Sequence, residues 1–341
     1  MSDQSTAHAV PRSCLRQVLG AVGRVLAGVA RGVLAAGPAT LSLLVAVVVV
    51  IRLTLMDRAA FLAPLYYAAP PPALTLAAAA AAVGWWVLRR RWLAGALAAS
   101  ALACAGWTWA TMWQYHPPRV SETPAYRVVF WNVARGVAGW QRLAATLRRH
   151  DPDVVILSEA AVHAGIVAQH WAPVFPQHKV TIAAGGLALL SRLPIERRGG
   201  GPLGDRSYGL YQHVVVHFDD VPLHIIQVDI HSHPLKPRWV PLRALRGLLD
   251  TLDGERVLVV GDFNTPSESF YFRPLRQHFR NAFEVAGRGY AATWPMPVPL
   301  LAIDQAWASE EIDVLRCEHV RSWLSDHALL VLDIALPMRA E

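Results

Sequence analysis

Six short polar motifs stand at the ends of apolar runs in the last two-thirds of the chain. They are Trp131-Asn132, Ser158-Glu159, His231-Ser232-His233-Pro234, Gly261-Asp262-Phe263-Asn264, Ile303-Asp304 and Ser325-Asp326-His327. Each closes or opens a stretch rich in Val, Ile and Leu, and that is how a sheet delivers polar groups to one rim. Gathered there, Glu159, Asp262, Asp304 and Asp326, the amides of Asn132 and Asn264, and the imidazoles of His231, His233 and His327 could hold a hard cation and cleave a phosphate ester.

Taken one at a time, each residue has a second reading. Asp262 and Asn264 follow an apolar strand and are two residues apart, so in extended backbone they point the same way and can orient a water or a phosphate oxygen. Asp-x-Asn-Thr-Pro is equally good turn chemistry. A carboxylate at Glu159, after Val154-Val155-Ile156-Leu157-Ser158, needs a cation, a hydrogen-bond partner or solvent. Magnesium ligation and a plain exposed strand end both meet that need. Asn132 is a cap or turn residue unless it faces Glu159, where it becomes a ligand for phosphate or metal-bound water. His327, beside Asp326, can be held protonated and aimed at a phosphoryl oxygen, with Asp304 as the orienting carboxylate; the alternative is a turn Asp and a surface His. His231 shares a strand face with Asp229.

The elements that must carry these residues follow from periodicity. Residues 126–131, 153–157, 187–190, 211–218, 223–230, 257–260, 302–307 and 328–334 read as strands, and 140–150 and 240–252 as helices. Many apolar strands with interspersed helices imply a layered α/β domain with a largely buried sheet core.

In this order, the motifs resemble the endonuclease/exonuclease/phosphatase superfamily, which includes pancreatic DNase, apurinic endonucleases, neutral sphingomyelinases and inositol polyphosphate 5-phosphatases. The resemblance covers about residues 126–336. It rests on Val129-Phe130-Trp131-Asn132, Asp151-Pro152-Asp153 through Ser158-Glu159, Leu189-Leu190-Ser191-Arg192-Leu193-Pro194-Ile195, Gly261-Asp262-Phe263-Asn264, Ala292-Thr293-Trp294-Pro295 and Ser325-Asp326-His327. Membrane-anchored bacterial members look most similar. The resemblance implies a four-layered α/β sandwich, two packed sheets flanked by helices, that hydrolyses phosphoesters with Mg²⁺, or Mn²⁺ in its place. It further implies that Glu159 ligates the metal with Asn132 and Asp326 close by. Asp262 would position or deprotonate the attacking water, and Asn264 would orient water and phosphate. His327, oriented by Asp304, would stabilise phosphorane charge, with His231 as a second donor. Two positions depart from the family: Gln305 stands where Asp304 is often followed by His, and Asp229 adds an acid two residues before His231.

The region before residue 119 is different. Residues 1–118 hold nine Arg, no Lys and two Asp, a net charge of +7, whereas residues 119–341 balance 23 basic against 23 acidic residues. The catalytic candidate therefore lacks the basic excess usual in non-specific nucleic-acid binding. Uncharged stretches at 32–51, 59–88 and 92–118 suggest about three membrane crossings. The second is interrupted by Pro70-Pro71-Pro72 and followed by Arg89-Arg90-Arg91, and Trp107, Trp109, Trp113 and Tyr115 read as an interfacial belt. The expected layout is a basic lead over 1–31 (polar over 1–14, then a helix on the membrane surface or a lead-in to the first span), a transmembrane region over 32–115, a linker over 116–125 and a catalytic domain over 126–337. With three crossings the positive-inside rule puts that domain outside the cytoplasm; with two it would be cytoplasmic. Cys14, Cys104 and Cys317 have no zinc spacing, and one Cys in the C-terminal domain cannot form a disulfide within it. The expected partners are a phosphoester substrate (nucleic acid, phospholipid headgroup or small ester) and the bilayer, with no obligate protein partner. A membrane-bound sensor or scaffold that binds a phosphorylated ligand without turnover is the alternative.

Overall fold

The structure, a computed structural model, describes residues 12–160, 169–219 and 221–337. Residues 1–11 of the expected polar lead therefore lie outside the described residues. The chain forms two compact units: residues 1–49 with 74–105, and residues 50–73 with 106–341.

The first unit is helical. It draws on α1 (Arg12–Thr54), α3 (Pro71–Val87) and α4 (Arg91–Met112); α2 (Ala63–Ala68) belongs to the second unit. Two helical stretches are long and apolar enough to cross a membrane: Gly32–Thr54, with mean hydropathy 2.5, and Arg91–Met112, with 1.3. The third expected span, α3, has 17 residues, which at 1.5 Å per residue reach about 25 Å, short of a typical hydrocarbon core. Its packing is close. A Cβ on Gly84 would lie 2.4 Å from Cγ of Pro38, so glycine lets α3 approach α1 there. Trp85 Nε1 donates to Ser42 Oγ at 3.0 Å beside it.

The second unit contains two sheets. One has the order β1 (Trp113–Tyr115), β11 (Gly287–Tyr290), β13 (Asp313–Val320), β14 (Leu329–Ala335), β2 (Ala125–Asn132), β3 (Val154–Ser158), β5 (Leu187–Ser191), β4 (Lys179–Ala183). The other runs β10 (Phe279–Asn281), β12 (Asp304–Ser309), β9 (Val257–Asp262), β8 (Val221–Ile230), β7 (Gly209–Phe218), β6 (Ile195–Pro202). Alternation along β2 sends Val128 and Phe130 into the core between the sheets, where Ile156, Ile225, Val260 and Leu330 meet them. Val129 and Trp131 face outward onto Leu143 and Leu147 of α5 (Trp140–Arg148). In the second sheet, Val228, Val259 and Trp307 pack on Leu242, Leu245 and Leu249 of α6 (Trp239–Leu249). Both faces of each sheet are thus buried, which explains why the strands read as near-continuous apolar runs. The result is the expected four-layered α/β sandwich.

Register brings the motifs to one rim. β2 and β3 run parallel with Asn132 opposite Ser158. β8 and β9 run parallel with Asp229 opposite Asp262, and antiparallel β12 begins with Asp304 opposite Asp262. Gly261 is required by close approach, since a Cβ there would come 1.9 Å from the Val228 carbonyl oxygen.

Some elements differ from the sequence expectation. Trp113–Tyr115, expected as part of an aromatic belt, is an edge strand paired with β11, with Trp113 opposite Tyr290. Aromatic residues suit a half-buried strand as well as a headgroup layer. β6, with Gly199-Gly200-Gly201, and the short β10 and β11 carry weak local signals and are held by pairing. Residues 50–73, expected to be mostly membrane-bound chain and loop, pack on the sandwich. Arg52 bonds the Tyr66 carbonyl at 2.7 Å and Glu268 at 2.6 Å. Fully buried Asp57 accepts from Tyr67 Oη at 2.9 Å, from Phe270 N at 3.0 Å and from Ser269 Oγ.

Replacing Asp57 by Ala leaves Tyr67, Ser269 and the Phe270 amide without this acceptor. At about 1–3 kcal/mol for each buried group left unsatisfied, the second unit should melt several degrees lower in a thermal scan of the detergent-purified chain. An unchanged melting temperature would mean that residues 50–73 are not integral to it.

His213 and His224 form a buried to half-buried pair, ring nitrogens 3.0 Å apart, remote from the rim motifs. Burial, then the His224 and Arg198 charges, push His213 down to about 4. Below pH ~6.5 the unfolded chain binds a proton that folded His213 refuses. Its stability contribution is therefore full above pH ~6.5 and is lost as pH falls toward 4. His213→Gln should flatten the dependence of melting temperature on pH across that window; an unaltered slope would contradict the assignment.

Candidate active site

The rim carries a cluster of polar groups, most of them buried, linked by hydrogen bonds and close charge contacts. His327 Nδ1 lies 3.0 and 2.9 Å from the two Asp304 carboxylate oxygens. Its Nε2 lies 3.9 Å from Asp262 Oδ2 and 4.0 Å from Asp326 Oδ1. Asn132 Nδ2 donates to Asp262 Oδ2 at 3.1 Å and to Glu159 Oε1 at 3.3 Å. The Asn264 amide donates to Asp262 Oδ1 at 2.9 Å, and its side-chain nitrogen to the Ile230 carbonyl at 2.7 Å. Five motifs from both sheets therefore meet around Asp262.

Local backbone chemistry sets each position. Ser325 Oγ donates to the Asn132 carbonyl at 2.7 Å and accepts from the His327 amide at 3.1 Å, tying the loop before β14 to the end of β2. Trp131 Nε1 holds the His327 carbonyl at 3.0 Å. Thr293 Oγ1 accepts from the amides of Ile303 and Asp304 at 3.2 and 3.1 Å, fixing where β12 starts. Glu159 and Asn264 have φ of 50° and 45°, a left-handed conformation that is costly for a residue with a Cβ and that gathers at functional sites.

Electrostatics separate the titratable groups. Burial, then the neighbouring Asp304, pushes the Asp262 carboxyl up to about 7, against the pull of His327 and the bonds from Asn264 and Asn132. Burial opposes charge on His327, but Asp304, Asp262 and Asp326 together outweigh it and raise the imidazole to about 10. These carboxylates favour the imidazolium at neutral pH, with Nε2 near both Asp262 and Asp326. Burial, then Asp262 and Glu159, push Asp229 well above the usual carboxylate range, which favours a neutral acid there.

The structure brings together Asn132, Glu159, Asp262, Asn264, Asp304 and His327. Asp326 is exposed at the same rim, where its carboxylate accepts from Trp294 Nε1 at 3.2 Å. His231 is not joined to this cluster: it is exposed, and its Nδ1 accepts from the His233 amide at 3.0 Å. His233 acts as a loop residue, its Nδ1 accepting from the Leu235 amide at 3.3 Å. Asn132 turns its amide nitrogen, not its oxygen, to the carboxylates, so as oriented it braces them, and ligation would need the amide reversed. Gln305 bonds the carbonyls of Thr265 and Ala302 at 2.7 and 3.0 Å and accepts from Trp307, buttressing the loop after Asp262.

Several residues were not singled out in the sequence. Arg135 Nε bonds Glu159 Oε2 at 3.1 Å. Buried Gln227 donates to the Leu157 carbonyl at 2.8 Å across the two sheets and accepts from Gln212 at 2.7 Å. An amide inside an apolar strand, as in Ile225-Ile226-Gln227-Val228, is the signal that could have found this bridge, since a buried amide needs partners. Thr293 lies in a quoted motif, but its hydroxyl role shows only in three dimensions.

Donor chemistry fits a hard cation. Asp262, Asp304 and His327 can place ligand atoms within 4.8 Å of one another, and Glu159 and Asp326 present further carboxylate oxygens at the same rim. Because His327 Nδ1 is committed to Asp304, oxygen donors at Glu159 and Asp326 suit magnesium better than this triad does.

A family model described as Endonuclease/Exonuclease/phosphatase family matches residues 129–327. Among solved structures, a protein of that description from Bacteroides thetaiotaomicron matches with TM-score 0.53 at 14% identity, covering 64% of this chain and 100% of its own. One from Bacteroides vulgatus matches with TM-score 0.51 at 16% identity, covering 63% and 100%. A mannosyl-6-phosphatase of Bacteroides thetaiotaomicron matches with TM-score 0.51 at 14% identity, covering 62% and 100%. At these identities the likeness shows the fold. No curated protein matches.

Asp304→Asn removes the charge that holds His327 protonated while keeping a hydrogen-bond acceptor. In the metal-free protein, NMR titration should then show the His327 imidazole falling from about 10 toward an ordinary value. An unmoved imidazole would mean that Asp304 does not set its charge.

Proposed function

The chain belongs to the endonuclease/exonuclease/phosphatase family, and we propose that it is a membrane-anchored, divalent-metal-dependent phosphoester hydrolase with its catalytic unit outside the cytoplasm. The observation that carries this reading is the buried Asp304–His327 pair with Nε2 3.9 Å from Asp262. It provides a fixed cation beside a carboxyl poised near neutrality, at a rim rich in oxygen ligands.

Each residue has a role in an in-line displacement. Glu159 and Asp326 would hold the cation, with Asn132 and Arg135 orienting the Glu159 carboxylate. When bound, Mg²⁺ or Mn²⁺ supplies Lewis-acid stabilisation of charge on the phosphoryl oxygens. Asp262, held by Asn132 and the Asn264 amide, takes a proton from the attacking water. Asn264 orients that water and the phosphate. His327 donates from Nε2 to a phosphoryl oxygen as negative charge develops, a preorganised contribution that needs no rearrangement during reaction. His231, whose Nδ1 accepts from the His233 amide, would act as a second donor from Nε2.

Topology supports the location. Residues 50–73 and the sandwich form one compact unit, so they share one side of any membrane. The chain between them, α3 and α4, must then cross an even number of times. With α1 as a first crossing, the total is three where the short α3 spans together with α4 and one where neither does, and either count leaves the N-terminal arginines cytoplasmic and the sandwich outside. In domain terms, we infer a lead over 1–31, a membrane region drawn from the helices within 32–112, and a catalytic domain over 126–337 to which residues 50–73 and the edge strand Trp113–Tyr115 belong.

The test uses the full chain in lipid nanodiscs with bis-p-nitrophenyl phosphate. Turnover should vanish with chelator and return with Mg²⁺. Asp262→Ala and His327→Ala should each lower kcat by at least about 10²-fold, the cost of losing a preorganised group of this kind. Metal-dependent binding of a phosphorylated ligand with no turnover would instead identify a sensor or scaffold. Full turnover in either variant would refute the mechanism.

A further inference from the structure

Large apolar side chains exposed on the sandwich are unevenly distributed. Between residues 126 and 337, among the described residues, they are Val137 (88% exposed), Leu235 (56%), Trp239 (49%), Val298 (67%) and Trp323 (84%). All five lie at the end of the sheets that carries the candidate site. Val137 follows Asn132 in the loop leaving β2. Leu235 follows His231, and Trp239 opens α6 just after it. Val298 lies in the loop before Asp304, and Trp323 two residues before Ser325. At the opposite end, the loops 149–153, 192–194, 250–256 and 310–312 expose no such side chain, and the segment before β2 exposes one, Val120 (97%). Single exposed apolar residues are ordinary on a protein surface. Their concentration at one end, five on four separate loops around one site against one at the other, sets that end apart.

Cations stand among them, exposed at Arg135 and Arg321 and half-buried at Lys236. Arg135 lies two residues from Val137, Lys236 follows Leu235, and Arg321 lies two residues from Trp323. Apolar side chains with interspersed Arg and Lys, Trp above all, match a headgroup layer, where rings and stems meet acyl chains and cations meet phosphates. A soluble polyanion would call for cations without the apolar partners.

The segment that leads into the apolar helices reaches this same end. Residues 50–73 expose Leu53, Leu55 and Phe61. Through Tyr67, whose ring centroid is 6.0 Å from the Arg238 guanidinium, they adjoin the residue before Trp239. Arg238 is itself 2% exposed and bonds the carbonyls of His231 and Ser232.

We propose that Val137, Leu235, Trp239, Val298 and Trp323 form an apolar collar that seats the site on a phospholipid surface, and that the substrate is the phosphodiester of a membrane phospholipid. This rests on the hydrolase reading above. Water's hydroxyl is transferred to phosphorus, the bond from phosphorus to one alcohol oxygen breaks, and water's proton passes to that departing oxygen. The products are a phosphomonoester and an alcohol, and no oxidant or co-substrate is needed. Collar residues act by presenting the diester at bilayer depth and leave the reacting atoms to the buried groups.

The test compares two substrates on the full chain with Mg²⁺: bis-p-nitrophenyl phosphate in solution, and vesicles of phosphatidylcholine mixed with phosphatidylglycerol, read by release of phosphomonoester or alcohol. The chain should hydrolyse the vesicle lipid, and Trp323→Ser combined with Val298→Ser should lower the ratio of vesicle to soluble turnover at least tenfold. Both side chains are exposed, so the variant should fold; Leu235→Ser provides an independent second variant. Soluble turnover without lipid turnover, or variants that reduce both substrates equally, would overturn the collar proposal and leave the hydrolase standing. No turnover on either substrate would remove the hydrolase reading and this proposal with it.

Discussion

Everything at the rim depends on keeping one charged pair dry. Asp304 and His327 are 1% and 6% exposed and lie within hydrogen-bond reach, with a second carboxyl, Asp262, close by. Removing such groups from water costs several kcal/mol each unless partners are supplied. The fold supplies them from several directions. Thr293 fixes the Asp304 backbone, Ser325 and Trp131 fix His327, and Asn132 and the Asn264 amide satisfy Asp262. Gln227 joins the sheets beneath. The four-layer packing is what makes this economical: side chains from both sheets converge only where strand ends from both reach one rim, and the apolar layers below exclude the water that would otherwise screen the pair.

Much of this arrangement is written locally in the chain. Gly261-Asp262-Phe263-Asn264 and Ser325-Asp326-His327 declare themselves because strand ends, a required glycine and polar residues at fixed spacing coincide. The buried strands are legible for the same reason, as apolar runs such as Val257-Leu258-Val259-Val260. What the sequence leaves dark is supplied by long-range pairing. The glycine-rich strand β6 has no propensity of its own, and Trp113–Tyr115 is aromatic whether it faces lipid or pairs with β11. Thr293, Gln227 and Arg135 are ordinary residues until the fold brings them beside Asp304, Leu157 and Glu159. His231 illustrates the converse: its motif marks the rim correctly, yet no hydrogen bond among the described residues ties it to the buried cluster.

Residues 50–73 alter how the N-terminal region should be understood. A tether needs only length and apolarity. This segment contributes a buried carboxylate, Asp57, that organises Ser269 and Phe270, and an arginine, Arg52, paired to Glu268. Tyr67 in turn meets Arg238, which holds the carbonyls of His231 and Ser232. The segment 50–73 is thereby continuous, through packed polar groups, with a loop at the edge of the site.

The central claim is that Asp304 holds His327 as a cation while separate oxygen ligands take the metal. Anomalous scattering from crystals soaked in Mn²⁺ separates these roles directly. The account predicts a single strong peak beside the carboxylates of Glu159 and Asp326, with the Asp304–His327 hydrogen bond intact. A peak bound by Asp304 and His327 Nδ1 would contradict it, because the imidazole would then be a ligand and not the charged donor on which the mechanism rests.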